Sequence, residues 1–128
     1  MSLNLGRQAL SLAAINGFLA VALGAFAAHG LEARLSQDML AVFDTGVQYH
    51  MFHVAAFIAV AVLSATHDSA KLKYCIWLFL AGTFLFSGSL YVLAITGIST
   101  LGMITPIGGL AFLAGWFLLF LEAIRRHV

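Results

Sequence analysis

From Ala9 to Ala28 the chain runs through an apolar stretch whose one strongly polar side chain is Asn16. Three similar stretches follow, from Val47 to Ala65, from Tyr74 to Thr96 and from Ile107 to Ala123. An α-helix rises about 1.5 Å per residue, so about 20 such residues cross the roughly 30 Å hydrocarbon core of a bilayer. Only 9% of the residues are charged while 62% are apolar, too few charges to cover a water-soluble core. The expected fold is all-α: a single transmembrane domain over residues 1–128, built as an antiparallel four-helix bundle. The short connections make neighbours in sequence neighbours in space.

Other classes find little support. The net charge of +1 comes without a basic tract or a zinc-finger spacing, so no nucleic-acid partner is expected. The lone cysteine, Cys75, reads as a small apolar residue inside a helix. The first apolar stretch exceeds the 7–15-residue core of a secretory signal and is followed by three more spans, so it reads as a retained helix.

Asn16 needs a hydrogen-bond partner in hydrocarbon and should face another helix. Ala20, Gly24 and Ala28 form a small-residue stripe suited to close helix contact. In the first connection, Ser36 and Asp38 can cap the second helix. Residues 38–46 read either as a short interfacial helix or as the outer part of a long second span. Gly82 and Gly88, the latter within Ser87-Gly88-Ser89, also permit close approach, and the two serines can bond the i−4 carbonyls. Thr105 is placed to cap the last helix, Pro106 falls in its first turn, and Gly108 and Gly109 suit tight packing.

Orientation follows from the basic residues. Arg7, Lys71, Lys73, Arg125 and Arg126 fall on one side of a four-span topology and only Arg34 on the other. This asymmetry makes the expected orientation one with both termini cytoplasmic. Glu122, near the cytoplasmic end, is expected to snorkel or to pair with Arg125 or Arg126. Trp77 suits the cytoplasmic aromatic belt, and Trp116 reads as packing.

The same topology gathers polar side chains in the outward half: His29, Gln48, Tyr49, His50, His53, Ser87, Ser89, Tyr91 and Thr105. His50 and His53 are three residues apart and share a helical face. Three readings stay open. The cluster can be a structural network in a non-enzymatic membrane protein. It can bind a small ligand, a lipid headgroup or protons as a transport accessory. It can hold a transition metal or zinc through His29, His50 and His53, with or without chemistry. No nucleophile–histidine–acid series is present, so no catalytic residue is assigned. Expected partners are membrane lipids, a second copy of the chain, or another membrane protein.

Several motifs together resemble one family. They are the stretch from Leu23 through Gly24 and His29 to Leu31, then Gln48-Tyr49-His50 with His53. Next come Phe86 to Tyr91, Thr105-Pro106-Ile107-Gly108-Gly109 and Gly115-Trp116. In this order the chain resembles the DUF423 family of small four-helix bacterial membrane proteins. The resemblance implies localisation to a bacterial plasma (inner) membrane and the four-helix arrangement. It implies no activity.

Overall fold

The computed structural model describes residues 2–67 and 69–125. Asp68, Arg126 and His127 lie outside the described residues. Helix α1 spans Ser2–Phe26 and continues into a π-helical turn at Ala27–Leu31. Helix α2 spans Gln37–Ser64. Helix α3, Ala70–Gly82, passes through a π-helical segment at Thr83–Gly88 into α4, Ser89–Thr96. A 3₁₀ turn at Ser99–Met103 leads into α5, Thr105–Ala123. These make four helical stretches long and apolar enough to cross a membrane: Leu5–Leu31, Gln37–Ser64, Ala70–Thr96 and Ser99–Ala123.

The second span begins ten residues before the expected Val47. Residues 38–46 are the outer turns of one long helix, not a separate interfacial one. Ser36 caps it, accepting from the Met39 amide at 3.2 Å. Asp38 and Asp44 do not interrupt it because both sit on its exposed face. The consequence is one of depth. His50 and His53 lie near the middle of a 28-residue helix and not at its mouth.

Buried positions on α2 are Phe43, Gly46, Val47, His50, His53, Ala56, Phe57, Val60 and Ser64, most of them three or four residues from the next position on the same face. That is the spacing of a helix seam, and both histidines sit in it. On α1 the buried residues are Ala9, Ala13, Asn16 and Ala20, followed by Ala27 and Leu31. The expected stripe drifts after Gly24: Ala28 faces outward and Ala27 inward, because a helix returns to one face by mixed steps of three and four.

Helix α2 occupies the centre. Its most extensive contacts are with α1, while α3 packs chiefly on α5. Lipid tails provide no hydrophobic drive between helices, so the pairs depend on close packing. Between α3 and α5 that packing is reciprocal. A Cβ on Gly82 would lie 2.3 Å from the Phe112 ring, and one on Gly115 would lie 2.7 Å from the Phe79 ring. Each helix thus lays an aromatic ring on a glycine of the other.

At Gly108 the approach is backbone to backbone. A Cβ there would lie 2.3 Å from the Phe86 nitrogen. A Cβ on Gly24 would lie 3.3 Å from Val47 Cγ1, and one on Gly109 would lie 3.8 Å from the Phe86 ring. Gly88, expected to permit close approach, does not: the nearest atom to its Cβ position is the Thr83 carbonyl of its own π-segment, at 3.8 Å. Of the two glycines expected to permit close approach here, only Gly82 makes one. Outward, Phe18 is 74% exposed and Phe84 is 70% exposed, apolar surface suited to a membrane and not to water.

Candidate functional site

Two polar networks hang from the centre of α2. In the first, His50 Nε2 lies 2.8 Å from Asn16 Oδ1, and His50 Nδ1 lies 2.9 Å from the Tyr91 hydroxyl. Asn16 Nδ2 donates to the Leu12 carbonyl at 2.8 Å. This last bond fixes the amide orientation, since the opposite flip would set Oδ1 against a carbonyl oxygen. Asn16 Oδ1 only accepts, so His50 Nε2 carries the hydrogen. In the neutral ring His50 Nδ1 is then the acceptor, and Tyr91 O–H donates to it. The chain Tyr91, His50, Asn16, Leu12 carbonyl therefore runs in one direction and joins the first, second and third spans. Gly46 makes room for it: a Cβ there would lie 2.9 Å from Tyr91 Cε1.

In the second network, His53 Nδ1 lies 2.6 Å from the Tyr49 carbonyl, and Trp116 Nε1 donates to His53 Nε2 at 3.0 Å. A carbonyl only accepts and an indole N–H only donates. His53 is therefore neutral with its hydrogen on Nδ1, the tautomer opposite to that of His50. Phe112 stacks on the imidazole with ring centroids 3.5 Å apart, and Phe52, Phe79 and Trp116 surround it. An uncharged ring is what such an apolar box accommodates. Trp116, expected only to pack, supplies the donor that completes His53.

The serines also reach across helices. Ser87 Oγ donates to the Gly46 carbonyl of α2 at 2.7 Å, not to its own i−4 carbonyl. Ser89 Oγ bonds the Phe86 carbonyl at 2.9 Å and Thr105 Oγ1 at 2.6 Å. Thr105 is the first residue of α5 and makes no capping bond, in contrast to the expected N-cap. Its hydroxyl ties the last span to the third. The π-segment before Ser89 holds an extra residue per turn, and Thr83 Oγ1 takes up the Phe79 carbonyl at 2.8 Å. An extra residue rotates the helix beyond it by about 100°, which sets the phase of Ser87, Ser89 and Tyr91.

The remaining expected members stand apart. His29 and Gln48 are exposed. Tyr49 is 44% exposed, its ring tilted on Phe86 at 4.3 Å, and only its carbonyl joins the buried network. The expected metal triad of His29, His50 and His53 is not assembled. All four ring nitrogens of His50 and His53 have protein partners, and His29 lies outside the core. Among the described residues no group of three or more His, Cys, Asp or Glu side chains is placed to hold a metal ion.

A third cluster lies at the other end of the bundle. Glu122 is 2% exposed, so it does not snorkel. Its Oε1 lies 2.7 Å from His67 Nε2 and 3.5 Å from Arg125 Nη1, and its Oε2 accepts from Ser69 Oγ at 2.8 Å. Thr66 Oγ1 gives its hydrogen to the Leu63 carbonyl and can only accept from His67 Nδ1, 3.0 Å away. Buried Phe57, Val60, Phe79 and Leu119 lie in the apolar core between this cluster and the two histidines.

Four apolar spans, a central helix carrying two neutral histidines and a lipid-facing aromatic surface define a multi-pass membrane protein of the four-helix class. Comparison narrows this further. The family described as "Protein of unknown function (DUF423)" matches residues 23–109, and the chain belongs to that family. The chain is 48% identical to the UPF0382 membrane protein YwdK of Bacillus subtilis, over 89% of this chain and 94% of the relative. It is 52% identical to a UPF0382 membrane protein of Haemophilus influenzae, over 84% and 86%. To the UPF0382 inner membrane protein YgdD of Escherichia coli it is 41% identical, over 93% and 91%. No solved structure matches the chain.

Proposed function

We propose that this protein is a non-enzymatic membrane interaction protein in which the two histidines fix the register of the four helices. Its working surfaces are then the outer faces of α1 and α5, offered to lipid, to a second copy or to another membrane protein. The observation that carries this reading is that His50 and His53 have all their ring nitrogens occupied by internal partners. Each accepts one hydrogen bond and donates one, so neither has a lone pair or an N–H left for a metal, a substrate or a transferred proton. The apolar core separating them from Glu122 also speaks against a continuous polar path. We further propose that both termini face the cytoplasm, as the distribution of Arg and Lys supports.

The test is zinc and nickel titration of the purified protein, with metal analysis, beside unfolding measurements on His50→Leu and His53→Leu. The expected result is no stoichiometric metal, together with destabilisation in both variants. Stoichiometric metal lost in either variant would overturn the reading, as would a co-purifying small molecule lost in the same way.

A further inference from the structure

We propose that the groove between α1 and α3, at the end of the bundle carrying the basic residues, binds one anionic phospholipid. The two helices make no extensive contact with each other, and the space between them forms a groove of about 690 Å³. Arg7 and Lys73 stand at its mouth, one from each helix, with Gln8 and Ser11 beside them. Among the described residues neither cation makes an ion pair, and both are exposed. Farther along both helices, toward the middle of the bilayer, the walls become Leu12, Ile76 and Leu80. Trp77, 58% exposed, forms one edge at the depth where an indole favours the headgroup boundary.

A phospholipid fits this order of groups. Its phosphodiester meets two cations and two neutral hydrogen-bonding side chains, and an acyl chain follows the apolar wall. Basic pockets between membrane helices on the cytoplasmic side suit anionic headgroups, and each Lys or Arg near the surface adds to the attraction. A second copy of the chain fits less well. Pairing this face with itself would bring two cationic mouths together, whereas an anionic lipid neutralises one. None of the groove's polar residues belongs to the His50 or His53 networks, so the two proposals stand or fall separately.

The experiment is native mass spectrometry of the full chain released from detergent micelles. The micelles are doped with phosphatidylglycerol or phosphatidylcholine of identical acyl chains. The expected result is one retained phosphatidylglycerol, in clear preference to phosphatidylcholine. Arg7→Gln with Lys73→Gln should lower that preference about 30-fold, the product of two surface cations each contributing about fivefold. Lys71→Gln with Arg34→Gln removes the same charge elsewhere and should leave the preference within about twofold. Retention unchanged in the Arg7/Lys73 variant would overturn the proposal, as would equal loss in the control variant. Displacement of the lipid by inorganic phosphate would reassign the groove to a soluble anion. A dimer that excludes the lipid would reassign it to a second copy.

Discussion

Replacing Gly108 by alanine adds a single methyl group at the crossing of α5 over the π-segment. That methyl would lie 2.3 Å from the Phe86 nitrogen, 2.7 Å from the Leu85 carbonyl carbon and 2.9 Å from Phe86 Cα, whereas ordinary contact begins near 3.4 Å. The obstructing atoms are backbone, so no side-chain rotation relieves the clash. Helix α5 must instead withdraw by about 1 Å at this point, disturbing the Ser89–Thr105 bond and the stacking of Phe112 on His53. Overpacking of this kind costs about 1–3 kcal/mol, and the backbone position places Gly108→Ala toward the upper end.

Gly109→Ala is the matched control. Its Cβ would meet only the Phe86 ring, at 3.8 Å, so removing a glycine from the helix should leave stability unchanged or slightly raised, by up to about 1 kcal/mol. Reversible unfolding in mixed micelles, read by helical circular dichroism, compares the two variants with the parent. A Gly108→Ala protein within about 0.5 kcal/mol of the parent would refute the packing argument. Equal damage from both substitutions would refute it as well.

Tyr91→Phe keeps the ring beside Gly46 and Phe43 but removes the hydroxyl, leaving His50 Nδ1 without a donor; a loss of about 1–3 kcal/mol is expected in the same unfolding assay. A double-mutant cycle on Asn16→Leu and His50→Leu should give a coupling energy of about 0.6 kcal/mol, the average for hydrogen bonds between membrane helices, and at most about 1.7 kcal/mol; additive effects would show that the bond contributes nothing. Glu122→Leu leaves His67, Ser69 and Arg125 facing an apolar side chain and should destabilise by about 1–3 kcal/mol. Glu122→Gln retains an acceptor and should cost less than the leucine variant; the reverse order would show that the buried carboxylate has no favourable partner.

Much of this fold is legible in the residues because a bilayer imposes a simple demand: about 20 apolar residues per crossing, with backbone polar groups satisfied inside the helix. The spacing of His50 and His53 also places them on one face, and the apolar positions around them carry that face into the core. Their depth was harder to read, since Asp38 and Asp44 suggest a helix end until their exposed side of α2 is known. The two π-helical turns leave no compositional mark, yet the one at Thr83–Gly88 sets which way Ser87, Ser89 and Tyr91 point.

Trp116 was hidden for a related reason. An indole in an apolar helix looks like packing, and its N–H becomes informative only when His53 is found 3.0 Å away on another helix. Glu122 gave a partial signal: a carboxylate near a helix end suggests snorkelling, and only the fold shows His67 and Ser69 closing over it. Asn16 was the clearest case, because an amide in hydrocarbon requires a partner wherever it sits. Its partner proved to be His50.

The most direct test is ¹⁵N NMR of the protein with labelled histidine in lipid, with His50 and His53 assigned by single substitution. The expected spectrum has two neutral imidazoles of opposite tautomer, the hydrogen on Nε2 in His50 and on Nδ1 in His53, unchanged on adding zinc. An imidazolium at either position, the same tautomer at both, or a zinc-induced shift of either ring would contradict the saturated network on which the proposed function rests.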